Sequence, residues 1–228
     1  NRTRSSIFVS TPDTNVLIDS SPDFRQQALT HNIKQFEAVL YTHDHFDHTS
    51  GLDDLRAYNF MHKKQVEIYS DKPTITTLTT RYPHAFLPPH HERPWSKPCL
   101  HENIITPGKS FSVGTLDVLP FTQIHGKGHS LGFRIDNFAY STDISDMNNE
   151  AKTALKHLEC WVIDCLQYDP APTHAHLEQT LAWIEELKPK QAILTHMGHN
   201  IDYDDICKKL PKHVIPAYDG LTWQAVSY

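Results

Sequence analysis

Residues 41–51 read YTHDHFDHTSG, with three histidines and two aspartates inside six positions, directly after the apolar run EAVLY at 37–41. His43 and His45 are two apart, so in an extended segment both rings point the same way and reach one cation from one side. Asp47 and His48 follow, placed to reach a second cation close by. Histidine nitrogen combined with carboxylate oxygen suits Zn, Mn or Fe better than Ca or Mg. A solvated loop would explain one histidine pair in a chain with 17 histidines. The full HxHxDH string after a strand points instead to a metal cage.

A cage needs donors from elsewhere in the chain, and strand ends are natural suppliers. FTQIHGKGH (121–129) offers His125 or His129, FAYSTD (138–143) offers Asp143, and AILTH (192–196) offers His196. An aspartate just after an apolar strand is often only a helix cap. In company with the other donors, Asp143 reads as a ligand.

Outward from these motifs the chain alternates strands and helices. SIFVS and NVLIDS, separated by the turn TPDT, read as a hairpin. SPDFRQQALTHN reads as a helix, FEAVLY as a strand, GLDDLRAYNFMHK as a helix, VEIYS as a strand and DKPTITTLTTRY as a helix. Residues 83–101 hold five of the 15 prolines and predict an irregular excursion, either a lid or a homodimer contact. Its histidines His84, His90, His91 and His101 are irregularly spaced and read as loop residues. TLDVLPFTQIH, LGFRI and FAYST are strands, the last two joined by Asp136-Asn137 in a tight turn. A helix is expected near 147–158, then CWVIDCL as a strand buried on both faces. LEQTLAWIEEL is an amphipathic helix with Leu177, Leu181, Ile184 and Leu187 on one face. QAILTH is a strand, a short helix follows, and HVIPAY and LTWQAV are expected as final strands. The pattern suits an α/β architecture, two packed sheets with helices outside, as one domain over 1–228 built from two similar halves.

The formal charge of −6, from 21 Lys+Arg against 27 Asp+Glu, disfavours extended nucleic acid as a partner. A small anionic substrate is still compatible with it, because a metal or a few arginines can hold one locally. The four cysteines form no CxxC pair and read as reduced thiols, which fits a cytoplasmic setting. No run of 18 apolar residues is present and no signal peptide is visible. The chain opens at Asn1 and enters a strand almost at once, so further residues are expected upstream.

THDHFDH, the histidine after a strand, STD and LTH occur in the order of the metallo-β-lactamase superfamily, which this chain resembles over nearly its whole length. THDHFDHTSGLDDLRAYN, HSLGFRI and LTHMGH are similar to the cyclic-phosphodiesterase branch. That branch includes the phosphonate-pathway enzyme that opens phosphoribosyl cyclic phosphate, and it is related to tRNase Z. The resemblance implies an αββα four-layer sandwich with a two-metal site at one sheet edge. It implies His43, His45 and His125 on one metal, Asp47, His48 and His196 on the other, and Asp143 bridging. It favours His125 over His129, which is left to line the pocket or cap a turn. It also implies Asp19, ending NVLID, as a residue that orients a ligand histidine. The family's catalytic histidine precedes a helix glutamine by five positions, which selects His174 over His176 ahead of Gln179. His199 resembles a position that in part of the branch helps hold a separate structural zinc with N-terminal cysteines, none of which match here.

Two divalent ions, Zn or Mn, suit phosphodiester hydrolysis because they activate a water and neutralise the non-bridging oxygens. Asp47 would bind metal and orient the attacking group, and His174 would supply the leaving group's proton. Arg56 and Lys127 are candidate phosphate holders, Arg56 through its planar fork; a solvated charge explains either equally well. The function expected is hydrolysis of a small cyclic or nucleotide-like phosphodiester. The rivals are tRNA 3′-end processing, disfavoured by the acidic charge, β-lactam hydrolysis, and a non-catalytic metal-containing binding protein, disfavoured by the complete donor set.

Overall fold

The computed structural model describes residues 2–92 and 96–225. The chain divides into two compact units, Arg4–Asp117 and Asn1–Thr3 with Val118–Tyr228.

In the first unit, β1 (Ile7–Ser10) and β2 (Asn15–Ile18) form the expected hairpin, with Ile7 opposite Ile18. Helix α1 covers Phe24–Thr30 only. Its expected start at Ser21-Pro22 is instead a turn closed by Phe24 N donating to Ser21 O at 2.9 Å. Strand β3 (Ala38–Leu40) is buried at every position, as a parallel interior strand should be. Helix α2 (Phe46–Thr49) is a single turn. The helix expected over 51–63 is a 3₁₀ turn, Leu52–Leu55, followed by α3 (Arg56–His62). Strand β4 (Val66–Ser70) leads to α4 (Lys72–Arg81), capped by Asp71, whose carboxylate accepts from Thr74 N at 3.0 Å.

The stretch 83–101 is less irregular than expected. It opens with the short helix α5 (Pro83–Phe86) and runs into strand β5 (Leu100–Ile104); residues 93–95 lie outside the described residues. LHENI escapes a hydrophobic pattern because it is an edge strand with mostly exposed side chains. It pairs parallel to β4 with His101 opposite Glu67, and Glu67 accepts from His101 Nδ1 at 2.8 Å and Asn103 Nδ2 at 2.7 Å. The sheet order is β1-β2-β3-β4-β5. A short strand β6 (Phe111–Val113), also unforeseen, stacks Phe111 on Tyr69 at 5.0 Å. The core joins the helices to the sheet through Leu17, Val39, Ile68, Leu52, Leu55 and Leu78. Phe36 and Tyr58 pack at 4.4 Å within it.

In the second unit, β7 (Leu116–His125, entering from the first unit), β8 (Gly128–Ile135) and β9 (Phe138–Ser141) form an antiparallel meander. Asp136 takes φ 52° in the β8–β9 turn, the left-handed conformation that a tight hairpin demands. Helix α6 (Asn149–Ala154) is capped by Asn148. Strand β10 (Cys160–Asp164) lies between β9 and β11 (Gln191–Thr195), parallel to both, and every residue is buried. Burial pushes the Cys160 and Cys165 thiols up to about 12.

Helix α7 (Leu177–Leu187) packs Leu177, Leu181, Ile184 and Leu187 against this core, with Trp183 added. Helix α8 (Tyr203–Lys209) and β12 (Val214–Pro216) complete the unit. The strands β12-β11-β10-β9-β8-β7 follow one another in the sheet. LTWQAV is not a strand over 221–225, and Val226 falls outside the described residues. Trp223 stacks on Phe138 at 6.1 Å instead of joining a ladder. Both sheets are mixed. Among the described residues no helix is long and apolar enough to cross a membrane.

Candidate metal centre

The THDHFDH loop leaves β3 and is gathered by a carboxylate at the end of β2. Asp19 is fully buried and accepts from Thr42 N at 2.9 Å, from Thr42 Oγ1 at 2.9 Å and from His48 Nδ1 at 2.7 Å. Burial pushes its carboxyl up, opposed by His48 and by the Thr42 donors. The Thr42 hydroxyl, having given its proton to Asp19, accepts from His43 Nδ1 at 3.0 Å. One carboxylate therefore fixes two imidazoles in the same tautomer, His48 directly and His43 through a threonine. Each is left with its lone pair on Nε2, the nitrogen a metal takes.

The three rings cluster, His43 lying 4.4 Å from His45 and 4.6 Å from His48. Asp47 Oδ2 is 3.5 Å from His48 Nε2. His48 and His43 are buried, whereas His45 is exposed. Arg81, at the end of α4, holds the loop from its other side: it donates to Asp44 O and lies 3.6 Å from the Asp44 carboxylate.

The second unit supplies a matching cluster. His125 ends β7 and donates from Nδ1 to Thr173 O at 2.7 Å; a carbonyl can only accept, so the lone pair again sits on Nε2. His174 Nδ1 donates to Asp164 Oδ2 at 2.9 Å. Asp143, after β9, sits amid three imidazoles: His125 Nε2 and His174 Nε2 are each 3.7 Å from Oδ2, and His196 Nε2 is 3.4 Å from Oδ1. Asp143, His174 and His196 present ligand atoms all within 4.8 Å of one another.

These separations exceed a hydrogen bond. They approximate the spacing of donors that share one cation, since metal–nitrogen bonds of about 2.0–2.1 Å in a tetrahedron put neighbouring donors about 3.4 Å apart. The donor chemistry and its spacing fit a divalent metal such as zinc.

Asp19, Asp143 and His196 share a further property. Each follows a strand and takes a left-handed backbone, with φ of 61°, 53° and 55°. Only the surrounding structure holds non-glycine residues there, and such strain gathers at functional sites.

The other singled-out residues fall as follows. His176 is the N-cap of α7 and its side chain makes no cap bond. His129 is exposed on β8 opposite Ile124, and Lys127 is exposed in the β7–β8 turn. Arg56 sets its guanidinium against the Cys99 thiol. His199 is exposed in the turn beyond β11.

Two contributors were not singled out from the sequence. One is Thr42, whose hydroxyl links His43 Nδ1 to Asp19. The other is Asp164, fully buried, which accepts from His174 and, at 3.2 Å, from Ile144 N. Its other oxygen makes no hydrogen bond among the described residues, and burial pushes this carboxyl up. The signal was present: WVID ends a buried strand in aspartate as NVLID does.

The family profile described as a β-lactamase superfamily domain matches residues 14–197. A Porphyromonas gingivalis (strain ATCC BAA-308 / W83) protein named octanoyltransferase is 34% identical over 224 residues, covering 96% of this chain and 44% of that one. The chain thus spans less than half the length of that curated relative. Among solved structures, a diphosphatase from the PhnP family is 30% identical with a TM-score of 0.88, over 96% of this chain and 82% of that one. The metallo-β-lactamase fold protein YhfI from Bacillus subtilis is 16% identical with a TM-score of 0.80, over 98% and 92%. Human tRNase Z, short form, is 15% identical with a TM-score of 0.70, over 96% and 91%. At the last two identities the likeness is one of fold alone.

Proposed function

The chain belongs to the β-lactamase superfamily and has the metallo-β-lactamase fold, and within it we propose a metal-dependent hydrolase that cleaves a small phosphodiester, cyclic or nucleotide-like. The observation that carries this is that His43, His48, His125 and His174 each set Nδ1 against an oxygen of the chain that is free to accept, which assigns the proton to Nδ1 and leaves Nε2 basic. Likeness to the PhnP-family diphosphatase supports hydrolysis at phosphorus.

In this reading His43, His45, His125, Asp47, His48, His196 and Asp143 hold two divalent ions, zinc or manganese. The ions supply an acidified water and positive charge for the phosphate oxygens when bound. The chain's own residues do the rest. Asp47 accepts a hydrogen bond from the attacking water and aims it. His174, protonated, gives its Nε2 proton to the departing alkoxide, and the Asp164 carboxylate on its Nδ1 stabilises the imidazolium and fixes its orientation. Asp19 keeps His48 and, through Thr42, His43 oriented. The substrate is small, in keeping with a net charge of −6.

The test is hydrolysis of bis-p-nitrophenyl phosphate by metal-free protein reconstituted with Zn or Mn, followed by a comparison of cyclic phosphates with precursor tRNA. Metal-dependent turnover of the small diesters supports the reading. Metal-replete protein that leaves all of them intact refutes it.

A further inference from the structure

Phe46 lies in the middle of the candidate metal-binding loop, between His45 and Asp47, and 66% of it is exposed, the highest exposure of a large hydrophobic side chain among the described residues. Single exposed apolar residues need no explanation on an ordinary surface. This one sits on a rigid base. His45 O accepts from Thr49 Oγ1 at 2.9 Å and from His48 N at 3.2 Å, and Phe46 O accepts from Ser50 N at 3.1 Å. Arg81 grips Asp44 two residues earlier and leaves 46% of its side chain to solvent. The adjacent His45 is also exposed, so an exposed phenyl ring and an exposed imidazole are neighbours in this loop. An exposed apolar ring thus stands between two candidate metal ligands, His45 and Asp47, on a hydrogen-bonded backbone and in a loop whose Asp44 is paired with a guanidinium. Such a pairing suits a molecule that is anionic at one end and aromatic at the other.

We propose that Phe46 is the platform on which a nucleobase of the substrate stacks, so that the diester cleaved here is of nucleotide type. This rests on the phosphodiesterase reading and narrows it. Phe46 acts on specificity and takes no part in bond breaking.

Adenosine 5′-monophosphate and ribose 5-phosphate carry the same phosphoryl group and differ by the base. Calorimetry on the zinc-loaded full chain is expected to show the nucleotide binding about tenfold more tightly, the ratio that one base–aromatic stack provides. In Phe46→Ala the ratio falls to near one; in Phe46→Leu it falls part of the way. Zinc content and tryptophan fluorescence of each variant establish that the loop and fold persist. Equal affinities in the native chain, a ratio that survives in Phe46→Ala, or binding of neither ligand overturns the platform. Hydrolysis of bis-p-nitrophenyl phosphate is measured on the same preparation. If the base preference holds but no diester is cleaved, the phosphodiesterase reading has failed while the platform stands as a nucleotide-binding feature.

Discussion

Replacing Asp19 separates two jobs that one carboxylate performs. In Asp19→Ala, Thr42 N, Thr42 Oγ1 and His48 Nδ1 all lose their acceptor; all are buried, and the Thr42 hydroxyl regains one only by turning its proton to His43 Nδ1 as that imidazole moves its own proton to Nε2, which leaves two donors stranded. Two stranded buried donors at about 1–3 kcal/mol each give a loss of roughly 2–6 kcal/mol, which is a large part of a domain's stability. Asp19→Asn behaves differently. Its amide oxygen can still take Thr42 N, but its NH₂ then faces His48 Nδ1. The imidazole answers by moving its proton to Nε2, so it accepts where it formerly donated. The fold then loses only about 1–3 kcal/mol. The nitrogen meant for metal, however, is protonated, and zinc affinity falls about 10–100-fold. Urea melts followed by tryptophan fluorescence in EDTA give the stabilities, and zinc titration against a chromogenic chelator gives the affinities. An Asp19→Asn protein that binds zinc as the native chain does would falsify the tautomer argument. An Asp19→Ala protein within about 1 kcal/mol of native in EDTA would refute the assigned burial penalty.

Other perturbations probe other parts of the molecule. His174→Gln should lower kcat for bis-p-nitrophenyl phosphate by about 10²–10⁴-fold with zinc content unchanged, and Asp164→Asn should lower it less; metal analysis beside kinetics checks both, and unaltered kcat rules out the acid role. Gly132→Ala should destabilise the second unit by about 1–3 kcal/mol in thermal or urea melts, since a Cβ there would overlap the Phe121 ring and come 2.7 Å from Gln123 Oε1.

The Glu67–His101 pair should confer a bell-shaped pH dependence. Burial opposes the Glu67 charge, but hydrogen bonds from His101 and Asn103 outweigh it and lower its pKa, so that contribution is lost as pH falls through the folded value. The hydrogen bond to Glu67 raises the His101 pKa, so that contribution is full at low pH and lost as pH rises through the folded value. The stability difference between native and His101→Gln protein should therefore peak at about pH 4–7 and shrink in high salt. A flat difference across that range removes the pair from the stability of the sheet edge.

What the sequence reveals tracks how local the determinant is. THDHFDH announces itself because five donors stand in six positions. CWVID and LEQTLAWIEEL are legible because burial on both faces of β10 and one face of α7 writes unambiguous periodicities. LHENI does not read as a strand because it is an edge: its partner supplies the ladder, and the polar Glu67, His101 and Asn103 supply the cross-strand contacts. LTWQAV fails in the opposite way. Its pattern fits a strand, but Trp223 spends its apolar surface on Phe138 rather than in a ladder. Asp164 and Thr42 stay hidden for a third reason. An isolated aspartate or threonine after a strand commonly caps a turn, and only a histidine brought from 10 residues away, or the carboxylate 23 residues earlier, turns them into site residues.

The left-handed twist of the chain at Asp19, Asp143 and His196 has a bearing on how this protein would respond to selection. Glycine or asparagine tolerates such dihedrals with less stress than histidine does. A laboratory lineage propagated only for heat resistance, without chelatable ions in the medium, would thus drift toward Gly or Asn at position 196. It would gain melting temperature and, on the proposed function, surrender a metal ligand, so the survivors of such a regime would be sturdy and inert.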